Sequence, residues 1–98
     1  MKQLAFVTGG TRGIGRAIVE KLINLEFDVY FTYKNNYDLA VELEQKYPNS
    51  CKGFKYDHAK ENIQTLTDEI IKDRVPDVIV NNIGINQVVR DVLNKLKS

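Results

Sequence analysis

Three glycines lie between a short apolar segment and a run of residues with helical spacing, and together they could hold a phosphate group. Gly9, Gly13 and Gly15 follow the apolar residues 4–7, and apolar residues then recur at helical spacing up to position 25. This order predicts a strand over 3–7, a glycine turn and a helix over 13–25. The first N–H groups of a helix have no partner within it and lie at the positive end of its dipole, so we expect a pyrophosphate to bind there.

Each glycine has a separate expected role in that site. Gly9 permits the sharp exit from the strand, Gly13 lets the backbone approach a ligand without a Cβ, and Gly15 lets the helix pack closely on the sheet. Thr11 and Ile14 belong to the same loop. The alternative is a plain tight turn without a ligand, which glycines also form.

Four strand–helix units are predicted along the chain, and they must position this loop. After the first unit, strands are expected over 28–32, 52–56 and 77–81, and helices over 39–47, 60–74 and 88–96. The fold class is therefore α/β: a three-layer, doubly wound, Rossmann-like parallel sheet with strand order 3-2-1-4 and two helices on each face. The loop and the residues after strand 4 then meet at the C-terminal edge, where open α/β sheets bind ligands.

Two helix ends carry specific predictions. The first helix has no glycine at its end, so we expect Glu26 or a neighbour in the left-handed conformation, at a cost of about 1 kcal/mol. Asn35 and Asn36 are expected to form a turn and to supply the N-cap of the second helix.

A second motif follows the fourth predicted strand. Residues 81–84, Asn-Asn-Ile-Gly, are similar to the Asn-Asn-Ala-Gly motif of the short-chain dehydrogenase/reductase family, with isoleucine in place of alanine. The Gly-xxx-Gly-x-Gly spacing after Thr8 resembles the cofactor loop of that family. Asp57, at the end of strand 3, matches the acidic residue that these enzymes place near the adenine. The resemblance covers residues 1 to about 86 and is closest to the 3-oxoacyl-(acyl-carrier-protein) reductases.

The resemblance implies a dinucleotide site and assigns roles within it. The loop would shape the pyrophosphate and nicotinamide side through Gly9, Gly13, Ile14 and Gly15. The Asp57 carboxylate would accept a hydrogen bond from the adenine amine, and the His58 backbone would follow the ring. Asn81 would tie the central sheet together, and the adenosine ribose would be lined by Asn82, Ile83 and Gly84. The alternative for Asn81 and Asn82 is a plain turn.

The residues expected around the adenosine ribose favour NADP(H) over NAD(H). An NAD site places a carboxylate after strand 2 to accept from the ribose 2′-hydroxyl, whereas this chain has no acidic residue there before Asp38. Arg12 and Lys34 are suited to a 2′-phosphate, by forked hydrogen bonds and by point charge respectively. The alternative is that both side chains are only solvated.

The family's catalytic groups are not assigned to any residue of this sequence. The family uses a serine and a Tyr-x-x-x-Lys pair one helical turn apart, in which the tyrosine exchanges the proton, and the chain is expected to end before those segments. Tyr30 with Lys34 and Tyr56 with Lys60 match the spacing, but the first pair lies along a predicted strand and the second at a strand end. No metal ligand is assigned, because His58 has no neighbouring ligand set.

Composition limits the remaining classes of protein. The 98 residues form one domain, 1–98, and 14 Lys and Arg against 13 Asp and Glu do not favour nucleic acid or an anionic membrane as a partner. No apolar run is long enough to span a bilayer, and a single cysteine, Cys51, favours a reducing cytoplasm. Strand 4 has no lysine or proline between Asp77 and Asn81, so we expect self-association through that edge.

Three functions remain open. The favoured one is the NADP(H)-binding half of a short-chain dehydrogenase/reductase, a truncated dinucleotide-binding domain without the catalytic segment. The second is part of an active NADPH-dependent 3-oxoacyl-(acyl-carrier-protein) reductase that another chain or a longer product completes. The third is an engineered or truncated folding fragment without function. A cofactor titration, followed by an assay with a 3-oxoacyl substrate, separates the three.

Overall fold

The structure is a computed structural model that describes residues 2–11, 13–57 and 63–82. Within these ranges strands alternate with helices: β1 Leu4–Thr8, α1 Gly13–Asn24, β2 Asp28–Tyr33, α2 Tyr37–Lys46, β3 Cys51–Lys55, α3 Ile63–Asp73 and β4 Val78–Asn81. Each predicted strand is present, with its bounds shifted by no more than one residue. The last predicted helix, 88–96, and the predicted start of the third, 60–62, lie outside the described residues.

The strands form one parallel sheet in the order β3-β2-β1-β4, which confirms the predicted strand order. β1 pairs with β2 on one side, where Val7 lies beside Phe31, and with β4 on the other, where Val7 lies beside Val80. All of β1 is buried. The C-terminal ends of β1, β2 and β4 therefore meet at one edge of the sheet.

Two apolar clusters cover the two faces of the sheet and define its layers. One cluster joins the sheet to α1 and α2 and contains Ala5, Val7, Val19, Val29, Phe31, Ala40 and Leu43. The other joins the opposite face to α3 and contains Phe6, Phe54, Tyr56, Leu66 and Ile70. Successive residues of β1 alternate between the two clusters, as the pleat of a strand requires. The three layers are thus present, and the fourth helix, which would give two on each face, lies outside the described residues.

The end of α1 confirms one local prediction. Glu26 has φ 70°, the left-handed conformation. The N–H groups of Glu26 and Phe27 donate to the carbonyls of Ile23 and Leu22, each at 3.0 Å. A non-glycine residue therefore closes this helix, because the two bonds satisfy carbonyls of its last turn.

The start of α2 contradicts the second local prediction, the N-cap by an asparagine side chain. Asn36 occupies the N-cap position, but its side chain makes no capping hydrogen bond. Its backbone, at φ −93° and ψ 61°, is not in the extended conformation that turns an N-cap side chain toward the first helical N–H groups. The Asn36 carbonyl still accepts from Ala40 N at 3.0 Å.

The described residues contain neither a helix that could cross a membrane nor a cluster of metal-ligating side chains. None of the helices in 2–11, 13–57 and 63–82 combines the length and the apolar character needed to cross a membrane. The same residues contain no group of three or more His, Cys, Asp or Glu that could hold a metal ion.

Candidate cofactor site

The glycine loop after β1 is fixed to the neighbouring strand β2. Gly9 N donates to the hydroxyl of Thr32 at 2.8 Å, and Gly10 N donates to the carbonyl of the same residue at 2.9 Å. Thr32 is only 2% exposed. One buried threonine therefore binds two successive N–H groups of the loop.

The loop is also fixed to β4 on its other side. Thr8 Oγ1 donates to Asn81 Oδ1 at 3.0 Å and accepts from Asn82 N at 2.8 Å. Asn82 Nδ2 donates to the carbonyl of Gly9 at 3.2 Å. Side chains of the 81–84 motif thus join the ends of β1 and β4, at the strand pair where the ligand site was predicted.

Backbone geometry explains the glycines of the loop. Gly9 and Gly13 have φ 70° and φ 55°, in the left-handed region where a Cβ is unfavourable. A Cβ on Gly15 would lie 1.8 Å from the Gly9 carbonyl oxygen and 2.7 Å from Asn82 Nδ2. A Cβ on Gly13 would meet nothing within 4 Å. Gly15 is therefore needed for packing inside the protein, whereas Gly13 borders open space where a ligand can lie.

The first turn of α1 is the part of this edge suited to an anion. The helix begins at Gly13, so its leading N–H groups and the positive end of its dipole lie at the open side of the loop. Its first turn has no acidic residue that would repel an anion. Arg16 does not add a free charge, because it contacts Glu20 at 3.0 Å and Glu42 at 2.8 Å. Ile14 is 74% exposed at the same helix end, which leaves an apolar surface beside the N–H groups. Thr11 is buried.

Asp57 and Lys34 meet at the ends of β3 and β2. Lys34 Nζ lies 4.0 Å from Asp57 Oδ1, and the Tyr56 N–H donates to the Tyr33 carbonyl at 2.8 Å. Asp57 is nearly buried, whereas just over half of the Lys34 side chain is exposed. The two residues predicted for the adenosine part of a cofactor are therefore neighbours in the structure.

A cavity of about 220 Å³ adjoins this part of the edge and is lined by Tyr33, Lys34, Asn35, Tyr37 and Lys55. Two of these residues are lysines and two are tyrosines, and the centroids of the Tyr33 and Tyr37 rings are 6.3 Å apart. Burial, and then the proximity of Tyr37 and Glu44, raise the pKa of the Tyr33 phenol. The environment of Tyr33 therefore favours the neutral form of its hydroxyl.

Four predicted site residues lie outside the described residues: Arg12, His58, Ile83 and Gly84. The sequence did not single out two others that the structure places in the loop, Gly10 and Thr32. A Cβ on Gly10 would lie 2.6 Å from the Phe31 Cβ. Two features of the sequence could have indicated these residues: a second glycine directly follows Gly9, and a polar residue lies among the buried residues of β2.

The first tyrosine–lysine pair, Tyr30 with Lys34, is not arranged as a catalytic pair. Tyr30 lies within β2 and donates a hydrogen bond to Asp73, whereas Lys34 follows the C-terminal end of that strand. Burial, and then the hydrogen bond to Asp73, raise the pKa of Tyr30 to about 12. A proton-exchanging tyrosine needs the opposite shift. Lys60, of the second pair, lies outside the described residues.

A second cavity, of about 240 Å³, lies at the opposite edge of the sheet. Its lining includes Asp28, Cys51, Lys52 and Arg74. Arg74 contacts Asp28 at 2.6 Å, and burial raises the pKa of the Cys51 thiol to about 11. This cavity adjoins the N-terminal ends of β2 and β3, so it is separate from the glycine loop.

A parallel, doubly wound sheet with a glycine loop and a helix N-terminus at the ends of its central strands is a Rossmann-like fold. The family model for short chain dehydrogenases matches residues 3–96. The chain belongs to the short-chain dehydrogenase/reductase family.

Individual relatives agree with that assignment. The chain is 36% identical over 91 residues to a 3alpha-hydroxysteroid dehydrogenase of Mediterraneibacter gnavus, and 35% identical over 91 residues to the 3-oxoacyl-(acyl-carrier-protein) reductase FabG of Aquifex aeolicus. Each match covers 87% of this chain and 36% of the relative. The chain therefore spans about a third of the length of these curated relatives.

One solved structure of this fold contains a cofactor. It is a blue fluorescent protein from a metagenomic library in complex with NADPH, with a TM-score of 0.73 and 34% identity, and the match covers 85% of this chain and 36% of that one.

Proposed function

We propose that this chain is the NADP(H)-binding part of a short-chain dehydrogenase/reductase. The proposal rests on the geometry of the loop between β1 and α1. Its glycines are held from β2 and β4, while the N-terminus of α1 stays open beside Gly13. A rigid loop next to an open helix N-terminus is suited to a pyrophosphate.

The hydrogen bonds of the loop indicate which groups would bind the pyrophosphate. The N–H groups of Gly9 and Gly10 already donate to Thr32, so we assign the pyrophosphate to N–H groups at the start of α1. The exposed Ile14 side chain would then lie against the nicotinamide half, and Asp57 would accept from the adenine amine.

The preference for NADP(H) rests on charge near the end of β2. Lys34 and Lys55 line one cavity there, and residues 34–36 are Lys-Asn-Asn, without a carboxylate for a ribose 2′-hydroxyl. The contact of Lys34 with Asp57 is long and partly exposed, so it is weak and leaves the ammonium group available to a phosphate. The NADPH complex of the structural neighbour agrees with this preference.

The reaction of a whole protein containing this segment is a further part of the proposal. We assign it NADPH-dependent carbonyl reduction, because relatives include a protein named as a 3-oxoacyl-(acyl-carrier-protein) reductase. The catalytic tyrosine and lysine would come from another chain or a longer product. Turnover of a 3-oxoacyl substrate by the 98 residues alone would contradict that division.

A titration of the purified chain with NADPH, followed by fluorescence or calorimetry, tests the binding proposal. We expect saturable binding that Gly13→Val abolishes, because a branched side chain would occupy the open space beside the loop. Since Gly13 has φ 55°, the matched control is Asn49→Val. Asn49 has φ 73° at the opposite edge of the sheet, so this control also carries backbone strain. Equal affinity of Gly13→Val and the wild type would remove the loop from the site.

We also propose self-association through β4. Among the described strands, β4 pairs only with β1, and its residues are half-buried and uncharged. A second copy could therefore pair with it at micromolar concentration or below. Hydrogen exchange at residues 78–80 should then slow as concentration rises, and sedimentation should show a dimer. A monomer whose outward amides exchange freely at high concentration would contradict the proposal.

A further inference from the structure

The hydroxyl of Thr32 is the only side-chain group among the described residues that accepts from a backbone N–H of the loop's first two glycines. Thr32 belongs to β2, and 23 positions separate it from Gly9. Its side chain is buried, and its carbonyl separately accepts from Gly10. The side chain and the backbone of one residue thus bind adjacent peptide groups.

We infer that Thr32 is a positioning residue for the cofactor: its hydroxyl fixes the Gly9 peptide and thereby sets the loop in the conformation that presents the N-terminus of α1. The inference rests on the proposed cofactor binding. Gly9 is held at φ 70°, and its carbonyl lies against Gly15 and Asn82. The Gly9 N–H belongs to the peptide that joins Thr8 to Gly9, and a rotation of that peptide changes the φ of Gly9. The rotation would therefore displace the Gly9 carbonyl and disturb the contact between the loop and α1.

Removal of the hydroxyl leaves a part-buried N–H group without its acceptor. The loop would then populate other conformations in which Gly9 N reaches water or another oxygen. For a ligand that needs the original conformation, the apparent dissociation constant rises by a factor of one over the fraction of molecules that keep that conformation. The pairing of β2 with β1 should persist, because the Thr32 carbonyl and the backbone ladder are unchanged.

Two variants of Thr32 separate positioning from packing. Thr32→Val keeps nearly the same volume and removes the acceptor, whereas Thr32→Ser keeps the acceptor and removes a methyl group. Thr67→Val is a matched control, because Thr67 is equally buried but belongs to α3 rather than to the strand that holds the loop. Thr32→Ala removes the same acceptor with a smaller side chain, in case valine does not fit.

The experiment measures the dissociation constants of NADPH and NADH for the whole 98-residue chain, at a temperature where circular dichroism shows each variant folded. We expect Thr32→Val and Thr32→Ala to weaken both cofactors by the same factor, about tenfold for a buried donor without its acceptor. Thr32→Ser and Thr67→Val should remain within about twofold of the wild type. Hydrogen exchange at Gly9 should be faster in Thr32→Val and unchanged in Thr67→Val.

The outcomes distinguish this inference from the proposed function. A wild-type chain that binds neither dinucleotide would overturn the proposed function, and this inference with it. A wild type that binds, with Thr32→Val and Thr32→Ala of equal affinity to it, would overturn this inference alone. A Thr32→Ser variant as weak as Thr32→Val would assign the effect to the methyl group and would also overturn it. A change in the ratio of NADPH to NADH affinity would place Thr32 at the 2′-phosphate instead and contradict the positioning role.

Discussion

Replacement of Gly15 by alanine gives the sharpest test of how the loop and α1 fit together. In an exposed helix the change would stabilise the protein by up to about 1 kcal/mol, because alanine loses less backbone entropy than glycine. In this structure the new Cβ would lie 1.8 Å from the Gly9 carbonyl oxygen and 2.7 Å from Asn82 Nδ2. Helix propensity therefore predicts that Gly15→Ala stabilises the protein, whereas steric overlap predicts that it destabilises it.

The magnitude follows from how far the backbone must move. A Cβ essentially never lies within 3.0 Å of another heavy atom, so the separation of 1.8 Å must grow by more than 1 Å. Both contacting groups belong to the site, and the movement would break the hydrogen bond from Asn82 to Gly9. Overpacking of this kind costs about 1–3 kcal/mol or more. Because the overlap exceeds 1 Å, we take the upper end of this range; with the propensity gain of about 1 kcal/mol subtracted, we expect a net loss of roughly 2 kcal/mol, or about 8–16 °C in Tm for a domain of this size.

The assay combines urea unfolding with an NADPH titration of wild type and Gly15→Ala. We expect a lower midpoint together with weaker binding, since the displaced loop no longer presents the helix N-terminus. Gly13→Ala is the comparison, because its Cβ would meet no protein atom within 4 Å. It should lose only about 1 kcal/mol, from the left-handed φ. A Gly15→Ala variant as stable as wild type, with the same affinity, would refute the packing of the loop on α1.

Three further predictions concern single side chains. Lys34→Ala should weaken NADPH binding about fivefold, and NADH binding hardly at all, because a half-exposed charge contributes about 1 kcal/mol; Lys52→Ala, at the opposite edge of the sheet, is the control, and an equal loss for both cofactors would contradict the assignment. Glu26→Gly should raise the free energy of unfolding by about 0.5–1 kcal/mol, because it relieves a left-handed φ at the cost of chain entropy; a fall in the urea midpoint would contradict this. The folded protein raises the pKa of Tyr30 from 10.0 to about 12, so above pH 10 the unfolded chain loses this proton more readily than the folded one. The contribution of Tyr30 to stability is therefore complete below pH 10 and is lost as the pH rises toward 12. Tyr30→Phe should remove that part of the loss, and identical pH profiles for the two proteins would contradict the shift.

Much of the fold could be predicted because its signals are local. Alternation of strand and helix patterns determines a parallel sheet, and the direction of the crossovers restricts the strand order. A left-handed residue could be predicted at Glu26 or a neighbour, because the helix must end before β2 and no glycine is available there. Gly15 could be assigned to close packing because its position in the loop places it at the contact with the sheet.

The remaining features depend on contacts between distant parts of the chain. The acceptor role of Thr32 follows from the register of β1 and β2, which places Phe31 beside Val7, and no local pattern specifies that register to a single residue. The contact between Lys34 and Asp57 joins the ends of two strands. The missing side-chain cap of Asn36 is local, but it depends on backbone angles that residue type alone does not fix.

A heteronuclear NMR titration of the 98-residue chain with NADPH locates the bound dinucleotide. We expect saturable shifts of the amides of Gly13, Ile14 and Gly15, with further shifts at Lys34 and Asp57. Amides near Arg74, at the opposite edge of the sheet, should not move. Saturable shifts confined to the cavity beside Arg74, or no shift in the first turn of α1 at saturating NADPH, would contradict the proposed location of the dinucleotide.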